Sequence, residues 1–193
     1  MVEKFAYLVG TYLVGGIPFG YLFVKILKGI DVRTVGSGNI GATNVYRAGG
    51  IWIALLTGIF DVLKGFLPTY CALRLFGINF AAVTGVVAIL GHSCTIYMKF
   101  KGGKGVATTV GAFLALSPIG VGIGILTWIV ILLITWIVSI SSLVAVTIGG
   151  VYIFFSTTSF ILRVIVVFAV FVIFIRHKSN IKRLLRGEEP KIK

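Results

Sequence analysis

The sequence predicts an all-α polytopic membrane protein with seven transmembrane helices, an N-terminus outside the cell and a C-terminus in the cytoplasm. Of its 193 residues, 58% are hydrophobic and only 12% are charged, whereas about a quarter of the residues in a soluble domain are charged. Long uncharged stretches recur, and the longest covers residues 105–162. Lys and Arg outnumber Asp and Glu by 18 to 5 and cluster between these stretches. The composition excludes a disordered chain, a disulfide scaffold and an ordinary cytosolic enzyme.

The predicted spans follow from the uncharged stretches, since about twenty apolar residues cross a bilayer core as a helix. The first three cover about residues 5–24, 51–73 and 80–98. The uncharged run 105–162 holds nearly three more, interrupted at Ser117-Pro118 and again near residues 139–142. The last span covers about residues 159–175. The fourth, about 105–116, is the shortest, and without it the count falls to six.

The distribution of positive charge sets the predicted orientation. With the N-terminus outside, the cytoplasmic segments are about residues 25–50, 99–105 and 139–142 and the tail 176–193. These segments hold 14 of the 18 Lys and Arg residues, as the positive-inside rule requires. Termini on opposite sides also require an odd number of spans. The chain 1–193 is therefore expected to form a single membrane domain surrounded by lipid, and its net charge of +13 does not indicate nucleic-acid binding.

The first predicted inner segment is rich in glycine, hydroxyl and amide residues and ends in an arginine. Glycines allow successive N–H groups to form a concave nest for an anion, and arginine can bind a phosphate in a bidentate manner. The string 36–41 matches a dinucleotide fingerprint only formally, because no strand precedes it. A flexible polar turn is the alternative. The candidate ligand-binding residues are Ser37, Gly38, Asn39, Thr43, Asn44 and Arg47.

The second inner segment places glycines and a lysine directly before a predicted helix. It is not a Walker A loop, since Met98 stands where that pattern needs its first glycine. Free N–H groups and the helix dipole would nevertheless favour an anion there. The alternative is a set of lysines that end a span and contact anionic lipid headgroups. The candidates are Gly102, Gly103, Lys104, Gly105 and Thr108.

The third inner segment is the basic tail, for which the spacing of Ile181, Leu184 and Leu185 predicts a short amphipathic helix. A basic membrane anchor explains its lysines and arginines. It does not explain His177 and Asn180, which lie three residues apart on one helical face.

Polar residues inside the predicted spans are further candidates. His92 would lie about 10 Å inside the membrane and is expected to bond a neighbouring backbone group. Asp61 and Lys64 lie one helical turn apart, and they either neutralise each other or take part in function. Ser142 lies at a predicted inner turn and can join the site. No metal or cofactor is expected from the sequence.

Together these segments resemble the bacterial acyl-phosphate:glycerol-3-phosphate acyltransferases of the PlsY type. The resemblance runs through the whole chain, from the 36–47 segment through Asp61-x-x-Lys64-Gly65, Gly91-His92 and the 100–108 segment to the tail. One departure is Ile40, where the family pattern has proline.

The resemblance implies transfer of a fatty acyl group from acyl phosphate to the 1-hydroxyl of glycerol 3-phosphate, at the cytoplasmic side of a bacterial inner membrane. It implies catalytic roles for Ser37, Arg47, His177 and Asn180, and binding of the glycerol phosphate by the loop around Lys104. Asp61, Lys64, His92 and Glu188 would support the site. The alternative function is a transporter for small phosphorylated compounds, and a lipid-binding scaffold is a second alternative.

Overall fold

The computed structural model describes residues 1–192, and all regular structure within that range is helical. The α-helices are α1 (Val2–Gly16), α2 (Phe19–Lys28), α3 (Ala42–Gly49), α4 (Ile51–Phe76), α5 (Ile78–Ser93), α6 (Val106–Leu116), α7 (Pro118–Thr135), α8 (Val138–Ser156), α9 (Phe160–Arg176) and α10 (Lys178–Leu185). Short 3₁₀ turns cover Val32–Thr34 and Ile96–Met98. The predicted all-α fold is confirmed, and the predicted short C-terminal helix is present as α10.

In the part of the chain that the structure describes, five helical segments are long and apolar enough to cross a membrane. They are α1 and α2 taken together, α4, α5 with the 3₁₀ turn that follows it, α7 and α8. The pair formed by α9 and α10, which meet at 61°, is a sixth if it is counted as one span. The helix α6 has only 11 residues. The chain is therefore a multi-pass membrane protein, and the count of seven spans stays a prediction.

The predicted first span is broken at Pro18. Proline lacks an N–H group, so it removes a backbone hydrogen bond and kinks or breaks a helix; here α1 ends at Gly16 and α2 begins at Phe19. Backbone carbonyl groups at such a break need donors from elsewhere in the protein. Thr95 Oγ1 donates to Gly16 O at 2.6 Å, and Lys64 Nζ donates to Ile17 O at 2.8 Å. The break therefore ties α1 to α4 and to the loop after α5.

The helix α4 lies at the centre of the bundle and packs against α5 and α6. Glycines bring α4 and α6 into close contact. A Cβ atom at Gly65 would overlap the backbone of Thr108, and one at Gly111 would overlap the backbone of Val62. Small residues at helix contacts are typical of membrane bundles.

The helices α7 and α8 form the second closely packed pair. Gly149 of α8 faces the backbone of α7 at Gly120 and Gly124, so small residues bring these two helices close together as well. The helix α9 packs against α5 and α8. As a result, α6, α7, α8 and α9 surround a common space.

Candidate active site

A cavity of about 690 Å³ opens at one end of the bundle. The three segments that the sequence predicts to be cytoplasmic and polar meet there: the loop before α3, the segment before α6 and the C-terminal tail. Its polar end is formed by the loop before α3, the first residues of α3 and α6, and the junction of α9 with α10. From there it continues as an apolar arm between α6, α7, α8 and α9.

The cavity brings together most of the residues that the sequence singled out. Its wall contains Ser37, Asn39, Thr43, Asn44, Arg47, Asp61, His92, Lys104, Gly105, Ser142, His177 and Asn180. The remaining candidates lie outside this wall, and their predicted roles stay predictions. They are Gly38, Lys64, Gly102, Gly103, Thr108 and Glu188.

The loop before α3 is held in shape by Asn44. Its buried side chain accepts a hydrogen bond from Ser37 N at 2.9 Å and donates to Val32 O at 3.0 Å and to Val35 O at 2.9 Å. Gly36 has φ +55°, a left-handed conformation, and a Cβ atom there would also meet Asn44 Oδ1. The Asn44 side chain thus positions the loop that carries Ser37.

Two cations face the polar end without an anionic partner. Neither Arg47 nor Lys104 forms a salt bridge within residues 1–192. Burial lowers the pKa of Lys104 to about 8, an effect that Glu189 opposes and that the positive charges of Arg183 and Arg47 reinforce. The site therefore concentrates positive charge that an anionic ligand would neutralise.

The glycine loop, residues 102–105, is fixed to α5 on one side and to α9 on the other. Gly102 N donates to Ser93 O at 3.2 Å, and Gly103 N donates to His92 O at 3.1 Å. From α9, the Arg176 guanidinium donates to both loop carbonyls, through Nη2 to Gly102 O at 2.7 Å and through Nε to Gly103 O at 3.1 Å. This double contact makes Arg176 a clamp on the loop.

The glycine loop ends at the first turn of α6. Gly105 has φ +88° immediately before that helix, and glycine adopts this left-handed conformation readily. The first residues of α6, Val106 and Ala107, form part of the cavity wall. N–H groups in the first turn of a helix have no intrahelical partner and favour anions. The start of α6 thus adds N–H donors next to Lys104.

His177 and Asn180 belong to the cavity wall, and each has a hydrogen-bond acceptor without a partner within the described residues. His177 Nδ1 lies 2.8 Å from Ile173 O. Since a carbonyl oxygen only accepts, Nδ1 carries the proton and Nε2 is free to accept. Burial and the positive charge of Lys104 lower the pKa of His177, which lies beyond the end of α9, to about 4. Asn180 Nδ2 donates to Glu189, and Asn180 Oδ1 has no partner within the described residues.

Glu189 organises the tail at the mouth of the cavity. Its carboxylate accepts hydrogen bonds from Ser139 at 2.7 Å and from Arg183 at 2.7 Å, in addition to the bond from Asn180. Burial alone would raise the pKa of Glu189, but these three hydrogen bonds outweigh burial and lower it. The neighbouring Glu188 is exposed. The glutamate in the cavity wall is therefore Glu189, next in sequence to the one singled out as supporting.

A buried ion pair, Asp61 with Lys64, lies next to the polar end. Lys64 Nζ is 2.8 Å from Asp61 Oδ1, and both side chains are almost inaccessible to solvent. Within the described residues, His92 does not form the predicted bond to a neighbouring backbone group. Its Nδ1 instead faces Asp61 Oδ1 at 3.6 Å, too far for a hydrogen bond. The predicted bond to a backbone group was wrong, because the buried ring lies between the Asp61 side chain on α4 and Gly103 of the glycine loop.

Trp128, Arg183 and Glu189 belong to the cavity wall but were not among the sequence candidates. Neither was Arg176, which lies outside that wall and holds the glycine loop. Trp128 Nε1 donates to Ser142 Oγ at 3.2 Å, which joins α7 to α8 where the arm begins.

Within residues 1–192, no group of three or more His, Cys, Asp and Glu side chains is placed to hold a metal ion. The absence of a metal or cofactor stays a prediction.

Fold and site together define an all-helical membrane protein with a cationic polar end joined to an apolar arm. The family model "Glycerol-3-phosphate acyltransferase" matches residues 5–187. Glycerol-3-phosphate acyltransferases from Fusobacterium nucleatum and Trichlorobacter lovleyi are each 44% identical to this chain. The first alignment covers 98% of both chains, and the second covers all of both.

Solved structures agree with these matches. The glycerol 3-phosphate form of PlsY (YgiH), an integral membrane glycerol 3-phosphate acyltransferase, superposes with a TM-score of 0.95 at 38% identity, covering 99% of this chain and 96% of that one. Its lysophosphatidic acid form superposes with a TM-score of 0.93 at 36% identity over the same shares. The chain belongs to the glycerol-3-phosphate acyltransferase family. The resemblance is confirmed, and the transporter alternative gains no support from these matches.

Proposed function

We propose that the chain transfers a fatty acyl group from acyl phosphate to the 1-hydroxyl of glycerol 3-phosphate, giving lysophosphatidic acid and inorganic phosphate. One observation carries this proposal: a single cavity joins a cationic polar end to an apolar arm. Both substrates carry a phosphate, and the donor also carries a long alkyl chain. A site for the two together needs both parts of this cavity.

The polar end offers donors for two phosphates. Arg47 and Lys104 have no salt-bridge partner in the described chain, and the first turn of α6 adds free N–H groups. Charge-assisted hydrogen bonds to phosphate are the stronger kind. In this proposal Lys104 and the start of α6 hold the glycerol phosphate, while Arg47 and the Ser37 loop hold the phosphate of the donor.

The acceptors in the same end suit the hydroxyl groups of the glycerol moiety. His177 Nε2 and Asn180 Oδ1 are both free to accept, and a hydroxyl group is a donor. They would orient the 1-hydroxyl toward the acyl carbonyl carbon. Positioning of this kind supplies much of the rate when the donor is already activated.

The reaction needs no covalent intermediate on the protein. The 1-hydroxyl oxygen forms a bond to the acyl carbonyl carbon, and the bond from that carbon to the phosphate oxygen breaks. The hydroxyl proton passes to the departing phosphate, so that the products are lysophosphatidic acid and inorganic phosphate. Ser37 and Arg47 would stabilise the negative charge that develops on the carbonyl oxygen. His177 then orients the hydroxyl group and does not take its proton.

The proposed topology has seven spans. It counts the five long segments, α9 as the last span and α6 as a short one. The charge distribution places the N-terminus outside, and the polar end, the tail and therefore the active site on the cytoplasmic side of a bacterial inner membrane. Labelling tests this orientation. In a chain with Cys71 and Cys94 replaced by serine, a cysteine at exposed Leu185 should react with an impermeant maleimide in inverted vesicles but not in intact cells.

An assay with purified protein in detergent tests the activity. It contains a long-chain acyl phosphate and radiolabelled glycerol 3-phosphate, and the product is separated by chromatography. We expect equal amounts of 1-acyl lysophosphatidic acid and inorganic phosphate. Arg47→Ala should lose most of this activity, and Arg33→Ala, which removes an exposed arginine paired with Asp31, should keep it. No product from acyl phosphate, or equal product from an acyl thioester, would contradict the proposal.

A further inference from the structure

The apolar arm has a measurable length along α8. Ser142 lies at its polar end and Ile153 at its far end, and Ala145, Val146 and Gly149 form the wall between them. All of these residues fall on one face of α8. Because an α-helix rises 1.5 Å per residue, the eleven residues from Ser142 to Ile153 correspond to about 16 Å.

The far end of the arm is closed by core residues. Ile153 of α8 is 3% exposed, Val166 of α9 is 2% exposed and Phe113 of α6 is 6% exposed, and the three belong to one buried hydrophobic cluster. Gly120 of α7 completes the closure, since a Cβ atom there would overlap the Ile153 side chain. Along its side the arm is more open, and Ile125 in its wall is 44% exposed.

A second cavity lies beyond this closed end. It has a volume of about 370 Å³ and is formed by the turn between α6 and α7, the end of α8 and the start of α9. Ile153 contributes to the wall of both cavities. The side chain of Ile153 therefore stands between the arm and this second cavity, which opens to the protein surface beside Ile119 (64% exposed).

We propose that Ile153 sets the length of the acyl chain that the protein uses. This inference rests on the proposed function, in which the alkyl chain of the donor occupies the arm. An extended polypeptide advances at most about 3.6 Å per three backbone bonds, and an alkyl chain, whose C–C bonds are longer than a peptide C–N bond, advances slightly more. An arm of about 16 Å therefore takes about thirteen bonds. Donors of about 14 to 16 carbons fill the arm, and longer donors meet Ile153.

Two substitutions in the arm should move this limit in opposite directions. Ile153→Ala joins the arm to the second cavity and should favour longer donors. Each buried methylene is worth about fourfold in binding, so two further methylenes should raise the ratio of kcat/KM for 18-carbon over 14-carbon acyl phosphate about tenfold. Val146→Phe narrows the arm one helical turn below Ser142. It should lower the ratio for 14-carbon over 8-carbon donor by about tenfold.

Matched controls lie on the same helix. Ile148 and Val151 of α8 are 45% and 50% exposed, outside the cavity wall, so Ile148→Ala and Val151→Phe should keep the wild-type profile. Ratios of kcat/KM within one preparation cancel differences in folded fraction. If Ile153→Ala cannot be purified, Ile153→Val, which removes one methyl group, should give a shift of a few-fold.

The experiment measures lysophosphatidic acid formed from acyl phosphates of 8 to 20 carbons in mixed micelles. A longer optimum for the Ile153 variant and a shorter one for Val146→Phe support the proposal. If the wild type forms product and Ile153→Ala keeps the profile of Ile148→Ala, the chain-length proposal is wrong while the proposed function stands. If the wild type forms no product from any donor, the proposed function fails and this inference fails with it.

Discussion

The charge on Lys104 should make the use of glycerol 3-phosphate depend on pH. Burial lowers the pKa of this lysine from its usual 10.5 to about 8, so the side chain is a cation below pH 8 and largely neutral above it. One pH unit above the pKa, about a tenth of the free protein keeps the cation. A phosphate monoester, whose second pKa is near 6, stays a dianion throughout this range. We therefore expect kcat/KM for glycerol 3-phosphate to fall about tenfold from its plateau to pH 9.

The pH profile of kcat/KM reports groups of the free protein, whereas that of kcat reports groups of the complex. Because a bound dianion raises the pKa of a nearby lysine, kcat should fall less steeply than kcat/KM.

Rates measured between pH 6.5 and 10 at saturating acyl phosphate test this expectation. Lys104→Arg should remove the fall, because an arginine stays charged over the whole range. Lys101→Ala, which removes an exposed lysine three residues before Lys104, should leave the fall in place. A fall in kcat/KM that survives Lys104→Arg would show that another group titrates and would refute the reasoning.

Three substitutions test the roles of other residues. His177→Ala should raise KM for glycerol 3-phosphate and lower kcat at saturation by less than about tenfold, because the account gives this residue an orienting role; a loss of several orders in kcat with intact binding would identify it as the base instead. Arg176→Ala removes two charge-assisted hydrogen bonds to the glycine loop and should raise KM for glycerol 3-phosphate about tenfold with little change in kcat. Arg186→Ala, in the exposed tail, should change neither KM nor kcat. Equal effects of Arg176→Ala and Arg186→Ala on KM would contradict the proposed role of Arg176 in holding the glycine loop. Gly65→Ala places a methyl group against the backbone of α6 and should destabilise the fold by about 1–3 kcal/mol, seen as a lower Tm in detergent. Gly10→Ala, with open space around it, is the matched control and should leave Tm unchanged.

The fold could be predicted where charge, glycine and proline mark the ends of helices. Ser117-Pro118 separates α6 from α7, as predicted, because proline suits the first turn of a helix. The break at Pro18 was not predicted, although the proline is visible in the sequence. Its carbonyl groups bond to Thr95 and Lys64, which are distant in sequence. Such partners make a broken helix tolerable inside a membrane, and only the tertiary structure identifies them.

The site could be predicted to the level of residue type and segment, because glycine, hydroxyl and basic residues recur where an anion binds. The direction of each side chain could not. Glu188 and Glu189 are neighbours in sequence, and packing alone decides that Glu189 faces Ser139 and Asn180. Arg176 was counted only as one cation of a basic tail, whereas its guanidinium holds the glycine loop. These contacts join segments far apart in the chain, so no local pattern reveals them.

The central claim is that one cavity holds both substrates, with the phosphates at the polar end and the alkyl chain in the arm. An experimental structure with glycerol 3-phosphate and a non-reactive acyl phosphonate tests it most directly. We expect one phosphorus atom beside Lys104, the other beside Arg47, and an alkyl chain that passes Ser142 and ends at Ile153. An alkyl chain on the outer, lipid-facing side of α7 or α8, or a glycerol phosphate bound away from Lys104, would contradict it.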